Sequence, residues 1–166
     1  ETLVYLLTTN IPRPLVYLSK YAAALLLTLG MTLGGLAALC LVPGKIGLEA
    51  LGIFWTVTAC ATTTYVGLFL LFSAWVRRAT FLALAYALMI ETLTGNIPGV
   101  VKRITVSFYA KSWLYESGEP IDLAPGGVVL GLFDPVTAAT AQWVLGLASV
   151  GFVALGMWIF SRKEYD

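Results

Sequence analysis

Four apolar stretches dominate this chain, at residues 21–42, 51–76, 79–93 and 136–160, and apart from Glu91 they contain no Asp, Glu, Lys or Arg. A bilayer core of roughly 30 Å is crossed by about 20 apolar residues in a helix, so the spacing predicts an all-α integral membrane protein, a polytopic bundle of four spans. A water-soluble core would not leave so much chain without charge. The composition agrees: 59% of the residues are hydrophobic and 11% are charged, against roughly a quarter charged in soluble domains.

The same composition excludes several functions. The net charge is +1 and no basic cluster is present, which argues against nucleic acid as a partner, since phosphate binding gathers Lys and Arg on one face. Histidine is absent, which removes the usual proton shuttle and the His-activated nucleophiles. Cys40 and Cys60 form neither a C-x-x-C motif nor a metal quartet and read as small apolar fillers. Gly44-Lys45 lacks the upstream glycine of a phosphate-binding loop, and Ser149 is not in G-x-S-x-G spacing. The chain therefore reads as no enzyme, with no metal and no cofactor of its own. It opens at Glu1 without methionine and reads as a piece of a longer protein.

Residues 1–13 have Leu3, Leu6 and Leu7 at helical spacing before Pro12 and Pro14 interrupt the pattern, which predicts a short amphipathic helix and then a break. Pro14 suits the first turn of the next helix, where its missing N–H is not needed. That helix would run to Val42 over about 43 Å at 1.5 Å per residue, with Lys20 snorkelling. Pro43 and Gly44 end it, and Lys45 and Glu49 are assigned to a short polar loop. Arg77 and Arg78 alone separate the second and third stretches, which predicts an antiparallel hairpin. Residues 95–99, Gly-Asn-Ile-Pro-Gly, break the third span and open an extracytoplasmic re-entrant or interfacial segment over 95–135. Within it, Ile97, Val101, Ile104 and Phe108 form one apolar stripe, with Lys102, Arg103 and Lys111 away from it. Asp134 and Pro135 read as cap and first residue of the last helix. With four spans, Arg13, Lys20, Arg77, Arg78, Arg162 and Lys163 share one side, so the positive-inside rule puts both ends in the cytoplasm.

Glu91 is the one ionisable residue within a span, where a carboxylate costs about 2.5 to 3.5 kcal/mol. It would line a gate or pathway, or pair structurally with Lys102 or Arg103. Thr56, Cys60, Thr63, Thr64 and Gly67 place small, weakly polar groups on one face of the second span, as a helix interface or a pathway lining. Gly30 and Gly34 make a G-x-x-x-G suited to a close helix approach.

Two passages together resemble the permease subunits of type-2 ATP-binding-cassette transporters. Glu1 to Arg13, followed by Lys20-Tyr21, resembles that family's "E-x-x-x-x-L-L-x-x-P-I-x-R … G-K" segment, with Asn10 and Ser19 where Pro and Gly are common. Glu91 to Gly99 resembles its "W-E-x-x-x-x-N-L-P" stretch, with drift at Thr92 to Gly95. The resemblance implies an exporter permease in the cell inner membrane whose four spans are the third to sixth of six. Residues 1–13 would be a cytoplasmic coupling helix in which Leu3, Leu6, Leu7, Ile11, Pro12 and Arg13 meet a separate ATPase subunit that carries ATP and Mg. The permease would pair with itself or with a sister permease. Two readings from other classes stay open: a non-transporting anchor or assembly subunit of a larger membrane complex, and an ATP-independent channel or proton-coupled carrier working through Glu91.

Overall fold

The structure, a computed structural model, describes residues 12–76, 78–91, 103–118 and 135–162. Among these residues it is all-helical, with three helices long and apolar enough to cross a membrane. The first helix, α1, spans Arg13–Leu41. Pro12, extended at φ −62° and ψ 129°, delivers the chain to it, and Pro14 occupies its first turn as the missing N–H predicts. No proline then interrupts the run until Pro43.

Helix α2 spans Lys45–Trp75. The polar loop expected around Lys45 and Glu49 is not there: both lie in the first turns of α2, and residues 42–44 alone reverse the chain. The cause is Gly44, whose φ of 70° with ψ of −126° is a conformation for which a residue with a Cβ is strained. Just beyond the turn, Gly47 passes so close to the Cys40 carbonyl that a Cβ would overlap it. The two helices thus meet at the turn itself.

Val76 leaves α2 in an extended conformation, its N–H held by the Phe72 carbonyl at 2.9 Å. Helix α3, Ala79–Ala85, follows and widens into a π-helical turn over Tyr86–Glu91. Tyr86 packs its ring edge against Phe69 and Phe72 of α2, at centroid distances of 6.5 and 5.9 Å, which closes the hairpin predicted from the arginine pair. At 1.5 Å per residue the thirteen residues from Ala79 to Glu91 cover about 20 Å, short of a hydrocarbon core of about 30 Å.

Helix α4 covers Val106–Gly118, after a single tight turn at Arg103 and Ile104. This corrects the predicted stripe. Ile104 is 75% exposed whereas Phe108 is buried, because the tight turn precedes the α-helix and throws the two side chains out of register. The buried face of α4 carries Val106, Phe108, Ser112 and Trp113, while Arg103 and Lys111 face outward. Ile97, Val101 and Lys102 lie outside the described residues.

Helix α5 runs Ala138–Arg162. It starts three residues after Pro135, not at it: Thr137 supplies the first carbonyl, to the Ala141 N–H at 2.9 Å, and the Glu116 carboxylate of α4 accepts the Ala138 N–H. The first turn thus takes an acceptor from another helix, and Asp134 lies outside the described residues.

Helices α1, α2 and α5 pack as a three-helix bundle with α2 shared, α3 lies against α2, and α4 rests on α2 and α5. Two apolar clusters mark the ends. Val16 and Tyr17 of α1 meet Ala74 of α2 and Phe160 of α5 at one end. At the other, Val57 of α2, Val106 and Trp113 of α4, and Ala141 and Leu145 of α5 converge. So α2 and α5 run parallel, and α1 runs opposite to both.

Candidate functional site

The seam between α2 and α5 is built on a heptad-like row: Val57, Cys60, Thr64, Gly67 and Ala74. At Gly67 the two helices come close, so that a Cβ there would sit in van der Waals contact with Phe152 at 3.4 Å and the Ser149 carbonyl at 3.5 Å. Thr64 is fully enclosed, and its hydroxyl reaches the Cys60 carbonyl of its own helix at 2.9 Å and the Leu145 carbonyl of α5 at 3.2 Å. Of the threonines singled out in the second span, Thr64 thus sits in a helix interface. Thr56 is exposed, and Thr63 donates back to Ala59 at 2.7 Å while its own carbonyl faces the Tyr21 hydroxyl of α1 at 3.5 Å.

Other hydroxyls follow the same rule. Thr28, Thr32, Ser112 and Ser149 each donate to a carbonyl one turn back, at 2.7 to 2.9 Å. In lipid no water completes a polar group, so a helix that satisfies its hydroxyls internally lowers the cost of carrying them. Thr32 and Thr62, whose oxygens are 3.5 Å apart, add a hydroxyl contact between α1 and α2. Gly30 and Gly34 have no atom within 4 Å of a Cβ position, so no described helix uses the G-x-x-x-G face. Cys40 and Cys60 are free thiols, one buried and one half-buried, on separate helices.

The end where α1 begins and α5 finishes was missed in the sequence. Tyr17 is 3% exposed and tilts against Phe160 with centroids 5.9 Å apart, and its hydroxyl is enclosed without a hydrogen-bond partner among the described residues. Gly156, one turn before Phe160, provides the space for the phenol. Lys20 extends over the Phe160 ring at 5.8 Å, and Arg162 stacks on Trp158 at 4.3 Å. The signal available was Gly156 and Phe160 at i and i+4 opposite Tyr17, but pairing them requires knowing that α1 and α5 are neighbours.

Leu3, Leu6, Leu7 and Ile11 lie outside the described residues. Pro12 is exposed just ahead of α1, and Arg13 supplies the first residue of α1. The backbone of Glu91 ends the π-helical turn, and the side chains of Arg13 and Glu91 are outside the described set. Among the described residues no group of His, Cys, Asp and Glu is assembled as a metal site. No protein-family model, no curated protein and no solved structure matches the chain.

Proposed function

We propose that this chain is the membrane-spanning permease subunit of an ATP-driven exporter of the cell inner membrane, coupled through residues 1–13 to an ATPase subunit on a separate chain. The observation that carries the reading is the continuity of α1. It begins at Arg13, directly after the segment that resembles a coupling helix, and runs 29 residues without interruption. Its second turn is anchored by Tyr17 between Ala74 of α2 and Phe160 of α5. A push on residues 1–13 would therefore reach both neighbouring helices rather than dissipate in a hinge.

The third apolar stretch, of which α3 is the described part, also crosses the membrane, and the four crossings are the third to sixth of six. The end bearing Lys20, Arg78 and Arg162 faces the cytoplasm, which the positive-inside rule favours. Glu91, at the far end of α3 from Arg78, would stand near the extracytoplasmic gate.

The test is mild extraction from native membranes with identification of co-purifying proteins, followed by Leu6→Ala and Arg13→Ala. A stoichiometric P-loop ATPase whose turnover uncouples from transport in both variants is the expected outcome. Absence of an ATPase, with another membrane complex in its place, would make the chain an anchor or assembly subunit.

A further inference from the structure

We propose that the end of the bundle where α1 begins and α5 finishes holds the headgroup of an anionic phospholipid, with Lys20 and Arg162 as its phosphate-facing groups. Among the described residues the two ends of the molecule differ in charge. Lys45, Arg103 and Lys111 share their end with Glu49 and Glu116, whereas Lys20, Arg78 and Arg162 have no described carboxylate near them.

The cations are held in place rather than trailing into water. The Phe160 ring lies under the Lys20 ammonium at 5.8 Å and the Trp158 ring under the Arg162 guanidinium at 4.3 Å. A stacked guanidinium keeps its in-plane N–H groups open, in the fork geometry that suits phosphate oxygens. The exposed Trp158 ring also gives the depth, since Trp concentrates at the headgroup level.

An apolar flank lies beneath this charge. Leu155 and Trp158 turn outward at 51% and 53% exposure, one to two turns deeper than Arg162 on the same helix. Charge at headgroup depth above a lipid-facing hydrocarbon strip has the form of a phospholipid, and that favours lipid over an acidic protein segment. The proposal is independent of the exporter reading, because it needs only that this end lie at a membrane surface.

The experiment places the full chain, with whatever subunits co-purify, in nanodiscs of mixed phosphatidylcholine and phosphatidylglycerol, and measures retained lipid by native mass spectrometry. Phosphatidylglycerol should be enriched over its share of the disc. At roughly fivefold per surface cation, the K20Q/R162Q double variant should lose most of that enrichment, and K45Q/K111Q at the other end should keep it. Should the double variant fail to fold, K20Q alone, an exposed position, and wild type at raised salt are each expected to show a partial loss. Equal enrichment in wild type and K20Q/R162Q, equal loss in K45Q/K111Q, or displacement of the lipid by inorganic phosphate would overturn the assignment.

Discussion

The phenol of Tyr17 on α1 occupies the space that a side chain at Gly156 on α5 would need. Both residues are buried, and the ring is wedged between Ala74 and Phe160. It has little room to retreat. Gly156→Ala should therefore force α1 from α5 and lower stability by about 1–3 kcal/mol, read as a shift in denaturant-induced unfolding in detergent or bicelles. Unchanged stability would mean that the ring is not where the packing demands it.

Tyr17→Phe should act in the opposite direction. The hydroxyl is enclosed and takes no partner among the described residues, so its removal relieves a desolvated polar group at no loss of hydrogen bonding. A gain on the order of 1 kcal/mol is expected. A loss in the same unfolding assay would show that the hydroxyl has a partner in the assembled protein.

Thr64→Val keeps the shape of a fully enclosed side chain and deletes its bond to Leu145 of α5. Interhelical hydrogen bonds in membranes contribute about 0.6 kcal/mol on average, so the loss should be small and additive with Gly156→Ala, which lies at the separate contact between α1 and α5. A double-mutant cycle checks both statements.

Gly47→Ala should be more damaging than Thr64→Val, because the group it would strike is the Cys40 carbonyl, which is backbone and cannot rotate away. Separation of the α1–α2 turn on the order of 1–3 kcal/mol is expected, visible as faster hydrogen exchange around residues 42–47. Ordinary exchange rates in the variant would contradict this.

Glu116→Ala removes the acceptor that α4 lends to the Ala138 N–H. Loss of a helix cap costs about 1 kcal/mol, and exchange should rise first at the start of α5. Glu116→Gln, which keeps an oxygen, should retain most of the protection.

The long helices were legible because they depend on local composition. Without charge or proline, the stretches 21–42, 51–76 and 136–160 that form most of α1, α2 and α5 had one low-energy backbone in lipid. Their ends were read less well. Lys45 and Glu49 look like loop residues by polarity, yet Gly44 completes the turn before them; Asp134-Pro135 looks like a helix start, yet Glu116 sets it at Ala138. In the second case the deciding group lay outside the pattern being read. Of the predicted small-residue stripe, Cys60, Thr64 and Gly67 line the α5 seam, whereas Thr56 is exposed and Val57 takes the buried position beside it. A helix face can be found from periodicity, but which neighbour it meets is a property of the assembled bundle, and for that reason the Tyr17 cluster was invisible.

The two-way hydroxyl of Thr64 also bears on the order of assembly. The α1–α2 hairpin is complete once residue 75 has been synthesised, whereas its partner carbonyl at Leu145 arrives 70 residues later. Throughout that interval the hydroxyl can donate to Cys60 within its own helix. The seam thus enters the bilayer with its polar group already satisfied, and α5 can dock late on a surface that has had no reason to seek another partner.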